Sequence, residues 1–280
     1  MKKVNVLKVQ LHLIAACSLM ACGGAQAAIT CSLSSNGFSS AYVPTNPGIN
    51  ITSASLTMTC SRSVTTDPTT QAYTVKVNNG LYPSGTQNRG ASSANRINYE
   101  TYTDATCTTV WKGGATVGGT VTMGSDFLPY SHTAPYWGCI PAGQTTVPAG
   151  TYTDTVTMTP SVGLPATFPV SIVTPSSCSI AISSGDLTFN YAAFQATPAL
   201  PSLSYTANCT SLLPYSMALD ATSGVSLDLS YSLSLSASSG VGNGTAQNYT
   251  VNGTMLAGQA GTCATGSCTT ITPRTLTISY

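Results

Sequence analysis

Thr275-Leu276-Thr277-Ile278-Ser279-Tyr280 closes the sequence with apolar side chains on alternate positions. A period of two is that of a half-buried strand, and it puts Leu276, Ile278 and Tyr280 on one face. Thr151-Tyr152-Thr153-Asp154-Thr155-Val156-Thr157-Met158-Thr159 has the same period. A second alternating run follows it, Thr167-Phe168-Pro169-Val170-Ser171-Ile172-Val173, with Phe168, Val170 and Ile172 on one face. Pro169 has no N–H and suits an edge strand or a bulge. One half of the sequence therefore supplies a strand to cover its late strand, and the other is expected to leave that strand open. An open strand edge invites pairing with another chain.

Working outward, the two halves begin alike. Thr30-Cys31-Ser32-Leu33 is followed by Cys60, and Ser177-Cys178-Ser179-Ile180 by Cys209. After each second cysteine comes a tyrosine-led strand, Tyr73-Thr74-Val75-Lys76-Val77 and Tyr215-Ser216-Met217-Ala218-Leu219. Turn-like segments close both, Asn78-Asn79-Gly80 and Asp220-Ala221-Thr222-Ser223-Gly224. Further strands are expected over 96–102 and 227–235. The reading is all-β, with a β-sandwich in each half and Thr174-Pro175-Ser176-Ser177 as the linker. It divides the chain into residues 28–174 and 175–280. Val117 to Gln144 reads as a long aromatic-rich loop region of the larger first domain.

Composition agrees with packed strands. Charged residues are only 6% of the 280, but hydrophobic residues are 42% and there are 14 Tyr. That content argues for ordered cores rather than disorder. The amino terminus reads as a secretory signal peptide over residues 1–27. Lys2, Lys3 and Lys8 are basic, Leu11 to Met20 is apolar but too short to span a bilayer, and Ala25-Gln26-Ala27 fits a cleavage site. Leu19-Met20-Ala21-Cys22 and Ile14-Ala15-Ala16-Cys17 loosely resemble lipidation sites. Loss of the leader turns the formal net charge of +1 slightly negative, which argues against nucleic acid as a partner. It also removes Cys17 and Cys22. The remaining cysteines suggest disulfides in an exported chain. The repeat pairs Cys31 with Cys60, Cys107 with Cys139, Cys178 with Cys209 and Cys263 with Cys268, keeping each pair within one half.

The repeated start, the cysteine spacings and Pro148-Ala149-Gly150-Thr151-Tyr152-Thr153-Asp154-Thr155-Val156 resemble the spore coat protein U domain, found in subunits of archaic chaperone–usher pili. The resemblance covers the second half nearly end to end and the first more loosely. The second half has Thr272-Pro273-Arg274 where the Ala-Gly-x-Tyr-x-Asp run would stand. Two such domains in one chain are similar to the tip adhesin of these pili. The resemblance implies immunoglobulin-like domains, the second lacking its last strand. A periplasmic chaperone would lend that strand, and the next pilin subunit would replace it at the outer-membrane usher. The chain would be secreted through the periplasm to the pilus tip on the cell surface. Ala28-Ile29-Thr30 is too short to donate a strand in turn, which suits a subunit that caps a fibre.

Adhesion is expected from apolar loop residues: Leu81 and Tyr82, Phe127, Leu128 and Tyr130, Tyr136 and Trp137, and Leu164. Prolines beside them stiffen the loops and reduce the entropy lost on contact with a hydrophobic abiotic or host surface. Leu276, Ile278 and Tyr280 are the expected docking face for chaperone and donor strand. No catalytic residue, metal site or cofactor is expected. His132 reads as a solvated loop residue, and its proximity to Asp126 and Ser131 in sequence is no evidence for a triad. Cys263-Ala264-Thr265-Gly266-Ser267-Cys268 lacks the setting of a redox pair. A minor structural pilin, a secreted protein of the same family, a lectin or a hydrolase are the alternatives. A lectin calls for a polar, aromatic-lined pocket and a hydrolase for paired carboxylates, whereas the acids here are scattered singly.

Overall fold

The structure, a computed structural model, describes residues 29–263 and 268–280. The expected leader and the tip of the Cys263–Cys268 loop lie outside them. Every regular element among the described residues is a strand. The first half contains β1 (Thr30–Ser35), β2 (Phe38–Ala41), β3 (Asn50–Ser61), β4 (Thr70–Val77), β5 (Asn88–Ser92), β6 (Asn95–Tyr102), β7 (Val117–Thr122), β8 (Tyr130–Ile140), β9 (Gly150–Pro160) and β10 (Ala166–Thr174). The second contains β11 (Cys178–Ile182), β12 (Ser202–Cys209), β13 (Pro214–Leu219), β14 (Ser223–Ser226), β15 (Leu229–Leu235), β16 (Ser239–Val241), β17 (Ala246–Met255) and β18 (Leu276–Ser279).

In the first half the strands join as one curled sheet in the order β1-β3-β8-β6-β5-β9-β10-β2, with β4 pairing both β7 and β9. β1 and β2 are two parts of one run that changes partners at Gly37. Gly37 has a φ of +71°, and a Cβ there would lie 1.7 Å from the Pro169 carbonyl oxygen. Glycine is required at this crossing. Beyond it β2 runs parallel to β10. Pro169 stands one residue before that pairing begins, where the ladder with β2 needs no donor from β10.

Alternation fills the interior. Leu56 and Met58 of β3, Tyr152 and Val156 of β9, and Phe168 and Ile172 of β10 belong to one continuous core. Trp111, fully buried, donates its ring N–H to the Val75 carbonyl at 2.8 Å. Each large side chain buried this way contributes roughly 1.5–3 kcal/mol.

The expected loop over Val117–Gln144 is mostly strand. β7 and β8 occupy it, and β8 pairs with β3 along its whole length. Pro135 disguised the strand. It is tolerated because β6 pairs with β8 only from Trp137 onward, leaving the other edge of β8 free at Pro135. Tyr136 is therefore a core residue, fully buried, with ring centroids 5.1 Å from Trp111 and 5.3 Å from Phe168. Its hydroxyl meets that of Ser35 at 2.9 Å, and burial pushes its pKa up to about 12. Trp137, on the opposite face of the same strand, is half-buried. His132 is likewise a strand residue. Its Nδ1 lies 2.8 Å from the Tyr73 hydroxyl, while Ser131 bonds Thr59 and Asp126 bonds Tyr130.

The second half forms a five-stranded sheet, β11-β12-β17-β15-β14, and a three-stranded one, β16-β13-β18. The segment expected as one strand over 227–235 is broken by left-handed Leu227 and Asp228, which turn β14 into β15. Residues 175–177 are pinned rather than free: the Thr210 hydroxyl donates to the Pro175 carbonyl, and Ser177 N–H donates back to Thr210 Oγ1. All four expected disulfides are present. Cys31–Cys60 and Cys178–Cys209 sit at matching cross-strand positions. The other two are not counterparts. Cys107–Cys139 ties the β6–β7 connection to β8, whereas Cys263–Cys268 closes a short loop ahead of β18.

Candidate functional site

The repeat fixes a strand-by-strand correspondence. β11 pairs β12 as β1 pairs β3, β12 pairs β17 as β3 pairs β8, and β13 pairs β16 and β18 as β4 pairs β7 and β9. Single bonds confirm the register. Tyr73 faces Gly119 across β4–β7 and its hydroxyl meets His132; Tyr215 faces Gly240 across β13–β16 and its hydroxyl donates to Gln247 at 3.0 Å. In this register Leu276 and Ile278 occupy the places of Met158 and Pro160, the end of β9.

In the first half the outer side of β9 is taken by β10, from Met158↔Ala166 to Gly150↔Thr174. Of the places β18 takes, Met158 is thus paired with β10 and Pro160 is not; among the described residues nothing pairs with the outer side of β18, and β11 is a sheet edge as β1 is in the first half. Among the described residues β2 has no counterpart in the second half either. Residues 183–201 instead run without a regular strand. The open outer edge of β18 forms a slot with an apolar floor. Leu276, Ile278 and Ile180 pack against buried Tyr205 and Met217 but stay only partly covered. Tyr280 lies past the last paired residue and is exposed. Open backbone N–H and C=O groups above apolar side chains are what an added strand needs.

A second feature lies at the far end of the first half. The register brings the end of β3, the start of β4, the β7–β8 loop and the β9–β10 turn to one end, away from Thr174 and the second half. Phe127, Leu128 and Leu164 are exposed there. Phe127 is left-handed, with φ 57°, an uncommon backbone for an aromatic residue, and the residue is 42% exposed. Arg62 ties two of these loops together, donating to the Gly124 carbonyl at 3.1 Å and to the Thr65 carbonyl. Val64, on the loop that Arg62 holds, is exposed at the same end and was not expected. The only sequence signal for it is an apolar residue inside a Ser/Thr/Asp-rich connection.

The remaining expected contact residues disperse. Leu81 and Tyr82 lie on the flank of the sheet: Leu81 N–H donates to Asp154 of β9 at 2.8 Å, and the Arg96 guanidinium covers the Tyr82 ring at 4.9 Å. Tyr130, half-buried, donates to Asp126. Tyr136 is interior, as described. Among the described residues no group of three or more His, Cys, Asp or Glu is placed to hold a metal ion.

The model of the Spore Coat Protein U domain family matches residues 5–159. That span is more than half of the chain and includes Pro148-Ala149-Gly150-Thr151-Tyr152-Thr153-Asp154-Thr155-Val156. It lies on the first half, whereas the expectation above put the fuller resemblance in the second. No curated protein sequence matches the chain. Among solved structures, the chaperone–tip adhesion subunit pre-assembly complex CsuC-CsuE, from archaic chaperone-usher Csu pili of Acinetobacter baumannii, is similar with a TM-score of 0.48 and 15% identity. The similarity covers 89% of this chain and 100% of that one. The CupB6 tip adhesin of Pseudomonas aeruginosa is similar with a TM-score of 0.36 and 12% identity, over 84% of this chain and 89% of that one. A family 123 glycoside hydrolase of Clostridium perfringens matches at a TM-score of 0.25 and 11% identity, over 52% of this chain and 27% of that one.

Proposed function

The chain belongs to the spore coat protein U domain family, and from that premise we propose that it is a non-enzymatic adhesive subunit at the tip of a bacterial chaperone–usher pilus. In this reading residues 28–174 form a self-sufficient adhesive domain. Residues 175–280 form a pilin-like domain that is completed by a strand from another chain. The observation that carries the reading is the unfilled slot beside β18, in a half whose other pairings repeat those of the first. A periplasmic chaperone fills the slot during export, and the next subunit fills it in the fibre at the usher.

The far-end residues Phe127, Leu128 and Leu164 are the contact surface, with Val64 beside them. They act by apolar burial on abiotic or host surfaces and so support biofilm growth. A few large side chains per tip, at roughly 1.5–3 kcal/mol each, hold a cell through many pili at once. Attachment by this route depends little on salt.

The test is co-expression with a chaperone from the same pilus system. The expected result is a one-to-one complex in which Ile278→Asp abolishes binding and Leu164→Ser leaves it intact. Chaperone binding that survives Ile278→Asp contradicts the reading of the slot.

A further inference from the structure

Lys112, Asn88 and Glu100 meet beneath the β4–β5 and β6–β7 connections of the first half. Lys112 Nζ lies 2.7 Å from Glu100 Oε2 and 2.9 Å from Asn88 Oδ1, and it also donates to the Thr86 carbonyl. All three side chains are withdrawn from water: Asn88 is 0% exposed, Glu100 is 8% exposed, and the Lys112 side chain is 14% exposed. Tyr99, fully buried, lies against Asn88 and Glu100. The Asn88 Nδ2 is buried and points toward the oxygen of the Tyr99 hydroxyl without a well-formed hydrogen bond, and that hydroxyl donates its own proton to Asp154 at 2.7 Å. A buried ion pair carries a desolvation cost even when its other groups are bonded, and a poorly bonded amide N–H adds to it, so the cluster is a poor way to stabilise a loop. It is a good way to hold an amine, an amide and a proton carrier in reacting order.

We propose that Lys112 and Asn88 join in a self-catalysed intramolecular isopeptide bond, with Glu100 as the catalytic carboxyl. Proton transfer from Lys112 Nζ to Glu100 first gives an uncharged amine and a neutral acid. Burial favours that state, since desolvation raises the Glu100 carboxyl above its ordinary range despite the bond from Lys112 that opposes it. The amine then adds to Cγ of Asn88, forming the Nζ–Cγ bond. Glu100 gives its proton to Nδ2 and takes one from Nζ, and the Cγ–Nδ2 bond breaks. The products are an amide joining Lys112 to Asn88 and one ammonia. No redox change occurs, and Glu100 is regenerated. A cleft of about 640 Å³ lined by Val77, Gln87, Tyr102 and Val110 opens beside the group and gives the ammonia a way out. The bond would clamp the loop after β6, already tied by Cys107–Cys139 at one point, to β5 at a second.

The experiment is mass spectrometry of the exported full chain with its disulfides reduced. The expected mass is that of the mature sequence less one ammonia, and digestion should yield a branched peptide joining residue 88 to residue 112. Linear peptides alone, with no ammonia lost, overturn the proposal in the wild-type protein without any variant. Glu100→Gln is expected to give only linear peptides; a branch formed to the wild-type extent in that variant removes Glu100 from the mechanism. Asn88→Asp should still form the branch, now with loss of one water, and Lys112→Arg should never form it. A branch that survives Lys112→Arg contradicts the assignment of the amine.

Discussion

In the first half β9 lies between β4 and β10; in the second half its counterpart β18 has β13 alone. The two strands start from similar circumstances, each following a disulfide-stapled strand and a tyrosine-led one. What separates them is the following strand. With β10 in place, β1 can cross at Gly37 into β2, and the interior closes over Phe168 and Ile172 without exposure. Without it, residues 183–201 form no regular strand and are held only at single points such as the Ala199–Met255 bridge, and Ile180, Leu276 and Ile278 stay partly wet. The second core splits accordingly into two small clusters, one around Tyr205 and Met217 and one around Tyr231 and Leu233. Among the described residues the second half thus has no counterpart of β10 or β2, and its core is divided.

The largest expected effect is on autonomy. Residues 28–174 should fold alone and melt cooperatively. Residues 175–280 should populate no cooperative folded state until a strand is supplied, because unpaired edge groups and half-covered apolar side chains leave too little to offset chain entropy. Circular dichroism melts of the two fragments check this, and a cooperative melt of the second fragment on its own would break the comparison.

Next is a pair of core truncations. Phe168→Ala removes a side chain with 0% exposure and should destabilise the first half by about 3–5 kcal/mol. Ile278→Ala should cost only about 1 kcal/mol in the unpartnered chain, because its side chain gains little burial there. Denaturant titration measures both. Equal costs would mean that the slot beside β18 is already closed.

A smaller effect on stability separates contact surface from core. Ser at Phe127, Leu128 or Leu164 should change stability by no more than about 0.5 kcal/mol each, while Tyr136→Ser should unfold the first half. Pili carrying the triple Ser variant should remain on cells and lose attachment to hydrophobic plastic. Unchanged attachment would remove the far end from consideration.

The smallest expected effect is on pH dependence. Asp104 accepts from Thr106 Oγ1 and from the Thr108 and Thr109 N–H groups, in a β6–β7 loop that the second half lacks. These bonds, the Thr106 hydroxyl's first, hold its carboxyl well below the ordinary 3.8. The folded chain then binds fewer protons than the unfolded one in that range, so the contribution is present above pH 3.8 and is lost as pH falls through the lower folded value. The unfolding midpoint of Asp104→Asn should be less sensitive to pH there than that of the wild type.

Much of this fold was legible because its markers are local. The two cysteine-to-tyrosine units, the alternation of β9, β10 and β18, and the four disulfides all follow from short patterns. β8 was not legible, because Pro135 interrupts its reading and only the free edge beside it makes the proline harmless. That is why Tyr136 was placed on a surface it never reaches. Lys112, Asn88 and Glu100 carry no joint signal in sequence; pairing of β5 with β6 and the burial of Trp111 bring them together. Val64 acquires its position from Arg62, whose two bonds across loops no periodicity reveals.

The central claim is that the second half is a β-structure short of one strand, antiparallel to β18. The most direct measurement gives it that strand. A copy of residues 163–174, placed after Tyr280, supplies the turn and β10; with Leu276 in the place of Met158, the copied Ala166 faces Leu276 and the rest of the copy runs back along residues 275 to 268. The account predicts that amide hydrogen exchange over residues 268–276 slows markedly in the extended chain, toward the protection seen in β9. Exchange over residues 268–276 that is the same with and without the added segment would contradict it.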